Sequence, residues 1–187
     1  MLQAPAIEIS SASSKDVVGK HIAARGIFDP RRAVFLDNKI RNGRAGYEVV
    51  APLKLAQGDA YVLVNRGWIA AGPTRETLPE PNLPLREVRI DGLALGRLPH
   101  ALQAGPQPAG RLRQNLDVAE YAAETALPLL PFVIEEHGGP GDALARDWPR
   151  PDAGADRNEA YALQWYSLAA LALVLAAVFS FKRDQPN

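Results

Sequence analysis

The chain contains no cysteine, which excludes disulfides, thiolate catalysis, Cys-ligated zinc and iron–sulfur clusters. Histidine is scarce: His21, His100 and His137 are the three in 187 residues, and no zinc-type spacing relates them. Aromatic residues make up 7% of the chain, and Lys+Arg equals Asp+Glu at 21 each. Neither a stacking surface nor a strong positive field is available, so a general nucleic-acid binder is not expected. The opening MLQAPAIEIS lacks the basic and apolar regions of a signal peptide. Gly138-Gly139-Pro140-Gly141 lacks the Gly-Lys-Ser/Thr ending of a phosphate loop and reads as a turn.

Against these absences stand 47% hydrophobic and 22% charged residues, the composition of a folded chain with one domain and an appendage. Sixteen prolines favour short elements joined by stiff turns. Charge is unevenly spread: residues 1–113 carry 16 Lys/Arg against 10 Asp/Glu, whereas residues 114–160 carry 3 against 10. Such halves attract one another within one fold, or the basic half meets an anionic partner or lipid headgroups. Arg31, Arg32, Lys39, Arg41 and Arg44 form the densest basic stretch, around Gly43 and Gly46, and read as a solvated hairpin or loop.

Ala162 to Phe181 is a run of 20 residues without a charge. As a helix it spans about 30 Å, the thickness of a bilayer hydrocarbon core. Nine of its residues are Leu, Val or Phe, worth roughly −3 to −5 kcal/mol of insertion energy. Tyr161, Trp165 and Tyr166 sit at one boundary, Lys182 and Arg183 at the other. Aromatic belts and the positive-inside rule then predict a transmembrane helix with a cytoplasmic C-terminus. The expected organisation is an N-terminal segment 1–19, a periplasm-facing β-rich domain 20–160, a membrane helix 161–183 and a tail 184–187. Carrying residues 20–160 across the membrane implies a first membrane helix missing ahead of this chain.

The rest reads mainly as strand, at 21–28, 33–37, 47–55, 60–69, 87–95 and 132–136. Residues 56–59 have hairpin length and contain Gly58, and Pro52 marks an edge or a bulge. Asp117 with Glu120 three residues later resembles a capping box opening a short helix. Residues 98–110 and 138–156 read as loops. The fold class is mainly β with minor α: a small antiparallel barrel-like outer domain plus one C-terminal transmembrane helix.

Catalytic chemistry is hard to find. Glu135-Glu136-His137 supplies acid, base or ligand groups, yet neighbours on a strand point to opposite faces. Asn65-Arg66-Gly67-Trp68 ends a strongly apolar strand. There Gly67 can kink the chain and Trp68 close a barrel end; alternatively Arg66 meets a ligand carboxylate.

Five pieces in order carry a family resemblance: Arg25-Gly26-Ile27-Phe28; Gly46-Tyr47-Glu48-Val49-Val50-Ala51-Pro52-Leu53; Val62-Leu63-Val64-Asn65-Arg66-Gly67-Trp68; Gln114-Asn115-Leu116-Asp117; and Tyr161-Ala162-Leu163-Gln164-Trp165-Tyr166. Over residues 20 to 183 the chain resembles the surfeit locus family of cytochrome c oxidase assembly factors. The resemblance implies an inner-membrane protein with its main domain in the periplasm. It implies a non-enzymatic role in maturing the haem–copper oxidase, by protein contact and with haem a as an admissible cargo. Cytochrome c oxidase subunit 1 or the haem-supply enzymes would be its partners, and nucleic acid would not. Arg66, Trp68, Asn158, Tyr161 and Trp165 are the residues expected to touch haem or a partner. Family members commonly carry a His where this chain has Asn158, and Asn is a poor iron ligand. The rival readings are a haem carrier whose axial ligand is His21, His100 or His137, and a membrane-tethered hydrolase.

Overall fold

Each of the six strand-like stretches forms a strand in the computed structural model, and two further two-residue strands join them. The structure describes residues 5–13, 15–72, 78–80, 83–100, 110–139, 142–148 and 155–183, apart from the side chains of 155–160 and 177–183. The strands are β1 (Ile7–Glu8), β2 (His21–Phe28), β3 (Val34–Arg41), β4 (Arg44–Leu55), β5 (Tyr61–Ala70), β6 (Val88–Leu95), β7 (Leu112–Arg113) and β8 (Leu129–Glu136). Helix α1 (Val118–Thr125) precedes β8, and α2 (Ala155–Arg183) ends the described chain. The chain divides into two compact units, residues 1–146 and 147–187.

Five strands close on themselves in the order β2–β4–β5–β8–β6, with β6 returning to β2. Every contact in this ring is antiparallel except β5–β8, which is parallel. This is a five-stranded Greek-key barrel, the architecture of OB folds. The parallel pair corrects the all-antiparallel expectation. Its cause is the long crossover from β5 to β8, which carries β6, β7 and α1 instead of a tight turn. β1 and β7 pair in parallel with β2 and β3 as short outer strands.

β4 has 12 residues and changes partner along one edge. Up to Val50 it pairs with β3, and from Leu53 it pairs with β2. Pro52 lies between the two, its carbonyl accepting from the Asp29 amide at 2.9 Å. The donor that proline lacks therefore faces a gap where no ladder bond is due. The basic stretch does form a hairpin: Asn42 and Gly43, with φ of 48° and 73°, turn β3 into β4. Gly46 lies within β4, where a Cβ would collide with the indole of Trp68 and the Ile69 carbonyl.

Alternate residues of the barrel strands fill its interior, among them Ile22, Phe28, Leu53, Val62, Val64, Phe132 and Ile134. A second cluster lies outside, where Tyr121 of α1 packs with Val34, Leu36, Val50, Leu63 and Val133. The hydroxyl of Tyr121 donates to the Arg32 carbonyl at 2.5 Å. Arg113 grips Glu124 with two bonds of 2.6 and 2.8 Å, tying α1 to β7.

Helix α2 is 29 residues long and takes in the whole uncharged run. Its described side chains, 161–176, are all exposed. Among the described residues no helix is long and apolar enough to cross a membrane.

Asp117 caps α1, accepting from the amides of Ala119 and Glu120 at 2.8 and 3.1 Å. Asp117→Ala is expected to cost about 1 kcal/mol through those two orphaned donors. A lower urea midpoint at unchanged slope would register the loss; an unchanged midpoint would contradict it.

Candidate functional site

Arg66 owes its position to a bulge. Across the β4–β5 ladder Asn65 faces Val50 and Gly67 faces Val49, so Arg66 is the extra residue between them. It shares the inward row of Val62 and Val64, is 2% exposed, and lies over the Phe28 ring at 4.6 Å. Glu136 ends β8 on the inward row of Phe132 and Ile134. Arg66 Nε donates to Glu136 Oε2 and Arg66 Nη2 to Asp142 Oδ2, both at 2.5 Å.

A fourth charge completes the cluster. Arg146 donates to both oxygens of Asp142, at 2.9 and 2.6 Å, and its Nη2 lies 3.3 Å from Glu136 Oε1. Two guanidinium groups and two carboxylates therefore neutralise one another at the end of the barrel. Asp142 and Arg146 belong to a strap, residues 142–146, that meets β5 at Trp68. Trp68 and Ala145 exchange backbone hydrogen bonds of 2.8 Å in both directions. Gly67, with φ of 132°, allows this approach, since a Cβ there would lie 2.7 Å from the Ala145 oxygen.

Low dielectric works on these groups in opposite senses. Burial pushes Glu136 above its ordinary value, with Arg66 and Arg146 pulling back less strongly. Burial also opposes ionisation of Asp142, but the hydrogen bonds and charge of Arg146, with the charge of Arg66, hold it below its ordinary value. Two donors are left over: Arg66 Nη1 and Arg146 Nε are buried without a hydrogen-bond partner among the described residues. Beside them opens a cavity of ≈ 880 Å³, reached by Phe28, Arg66, Arg89, Glu136 and His137.

The structure exchanges the roles expected of Arg66 and Trp68. Trp68 pairs with Glu48, on the face where Glu48 also accepts from Asn65 at 2.9 Å and meets Lys39 at 3.6 Å. Trp68 is half-buried there, its Nε1 donating to the Lys39 carbonyl at 2.8 Å. It does not close the barrel end; the bulge turns it to the other side of the sheet and leaves Arg66 as the plug. Sequence reasoning missed Asp142 and Arg146, which lie in a stretch read as loop. Their i, i+4 spacing of opposite charge was the available signal.

Tyr161 and Trp165 lie in α2, in the second unit, with rings edge-to-face at 6.0 Å and 60% and 58% exposed. Asn158 is also in α2, its side chain outside the described residues. His21 and His137, distant in sequence, come together with ring centroids 5.6 Å apart, whereas His100 is exposed in the segment after β6. Among the described residues no group of three or more His, Asp or Glu is arranged to hold a metal ion.

Fold and site together define a small β-barrel module whose end is sealed by paired charges and a strap. The chain belongs to the SURF1 family, whose model matches residues 1–170. It is similar to uncharacterized SURF1-like proteins of Mycobacterium bovis and Mycobacterium tuberculosis, 25% identical over 176 residues and covering 91% of this chain. The chain spans 63% of the length of these relatives.

Arg66→Ala removes the closer of the two guanidinium groups that face the buried Glu136 carboxylate and is expected to cost about 3–5 kcal/mol. Arg66→Met with Glu136→Leu removes both charges and should recover at least half of that loss in urea unfolding. No recovery would show that shape, not charge pairing, sets the cost. Asp142, held below its ordinary value, contributes stability that is full above about pH 4 and lost as pH falls through its folded-state value. The stability gap between the native chain and Asp142→Asn should therefore shrink on acidification. Glu136 has the opposite sign, its raised value weakening the fold as pH rises through it.

Proposed function

We propose that the chain is a membrane-anchored assembly factor for cytochrome c oxidase that acts by protein contact and is not an enzyme. The family match over residues 1–170 carries this reading. The barrel cluster supports it: Arg66, Glu136, Asp142 and Arg146 satisfy one another's charge, with Arg66 2% exposed, which suits a scaffold more than a reacting centre. Oxidase subunit 1 or a haem-supply enzyme is the partner. An oligonucleotide is a poor fit, since Tyr47 of β4 is buried and Trp68 of β5 packs on Gly46, leaving neither as a stacking platform.

The anchor is α2. Ala162–Phe181 carries no charge and lies wholly within it. Leu168, Leu171, Val174 and Leu175 are exposed around it, an arrangement that lipid would satisfy. Lys182 and Arg183 put the C-terminus in the cytoplasm of a bacterial inner membrane and the barrel in the periplasm. Tyr161 and Trp165 at the outer boundary offer the partner-facing surface.

Haem a does not fit the family position here. Asn158 offers an amide where imidazole is needed. Haem retention is therefore expected to be weak or absent, with protein contact dominating.

Cells lacking the protein should lose haem–copper oxidase absorbance and activity, and expression of this chain behind a membrane helix that carries its barrel outward should restore both. Tyr161→Ala with Trp165→Ala should cut restoration several-fold at an unchanged protein level. Full oxidase content without the protein would sink the assembly role. A reporter active only in the periplasm, fused after Asn187, should stay silent, and activity from it would reverse the orientation. Asn158→His should raise haem absorption of the purified chain, which is expected to be weak before the change. Tight stoichiometric haem in the native chain would favour the carrier reading instead.

A further inference from the structure

β2, β6 and β8 lie side by side, and their register sets His21, Leu93 and Glu135 in one row across the barrel's outer face. His137 follows β8 directly, its amide donating to the Asp91 carbonyl at 2.8 Å, which carries it back over the same face. Both histidines are exposed, with ring centroids 5.6 Å apart and planes at 67°. Two imidazoles sharing one ion at metal–nitrogen distances of about 2.0–2.1 Å have centroids roughly 4.5–6.4 Å apart, depending on the angle at the metal. The pair is already at ligating separation.

Glu135 Oε1 lies 3.2 Å from His137 Nε2. A carboxylate only accepts, so His137 keeps its proton on Nε2 and presents the Nδ1 lone pair. A carboxylate holding the far nitrogen is the support that metal-binding histidines ordinarily have. Asp91 adds negative charge on this face but is held by Arg89 at 3.0 and 3.2 Å. Side-chain ligands are therefore two, with water at the remaining positions, in keeping with the absence of any three-residue group among the described residues.

We propose that His21 and His137 form an outer-face site for a divalent transition-metal ion of the imidazole-preferring class, with Glu135 fixing the tautomer of His137. Calcium and magnesium take oxygen ligands and are not of this class. Within the class affinity rises to Cu(II), which makes it the probe. The site does not depend on the oxidase reading.

The full chain, titrated with Cu(II) in a weakly coordinating buffer, should bind one ion with nitrogen coupling in its electron paramagnetic resonance spectrum. His21→Ala and His137→Ala should each weaken binding at least tenfold, and Glu135→Gln a few-fold. His100→Ala should change nothing. Because both histidines are exposed, unchanged circular dichroism will separate lost binding from lost fold. Equal affinity in the His21→Ala, His137→Ala double variant, as binding at the terminal amine would give, overturns the site; so does no binding at all. Loss in the histidine variants with none in Glu135→Gln overturns the tautomer role.

Discussion

A guanidinium buried inside a β-barrel is tolerable only when carboxylates meet it there, and much of the first unit is arranged around that demand. Arg66 is 2% exposed among Val62, Val64 and Phe28. Glu136 must then end β8 on the inward row, and Asp142 must come from outside the barrel to take the second nitrogen. Bringing Asp142 in requires a strap pressed against β5, and that strap requires a residue without a side chain at Gly67. The bulge, the glycine and the strap are three consequences of one buried charge. An apolar plug would need none of them.

The barrel's closure depends equally on one long strand serving two neighbours. β4 pairs with β5 along nearly its whole length while its other edge passes from β3 to β2. Had β3 continued along β4 as a plain hairpin, it would have taken the edge that β2 needs, and the outcome would have been an open sheet with long edges. Pro52 at the changeover removes the donor that would have prolonged the β3 ladder.

Period-two alternation made six strands legible, and Asp117 made α1 legible, because both are local signals. β1 and β7 escaped because two residues carry no period. The parallel β5–β8 pair escaped because long connections hide which strands meet. The exchange between Arg66 and Trp68 was illegible for a sharper reason: one bulged residue flips every side chain after it, and nothing in Asn65-Arg66-Gly67-Trp68 fixes whether the extra residue falls before or after Arg66. The meeting of His21 with His137 depends on the register of three strands, which no spacing in the sequence encodes. The uneven charge was the better guide. Arg66 with Glu136 and Arg113 with Glu124 join the basic half to the acidic half within one fold.

The motifs that carried the family resemblance divide by whether the fold itself explains them. In Arg25-Gly26-Ile27-Phe28 the glycine is required because a Cβ would strike the Lys54 carbonyl, and Phe28 lies beneath Arg66. Gly46 makes room for Trp68, Tyr47 fills a core with Phe35, and Asp117 caps α1. Arg66 and Gly67 have the causes described above. Each is accounted for by packing or backbone geometry, so none of them needs a partner to justify it. Tyr161, Trp165 and Tyr166 differ: they are 60%, 58% and 75% exposed. Large aromatics left in the open satisfy no requirement of folding among the described residues. The barrel motifs thus preserve a shape, and the motif residues that folding leaves exposed are the three aromatics where α2 begins its uncharged run.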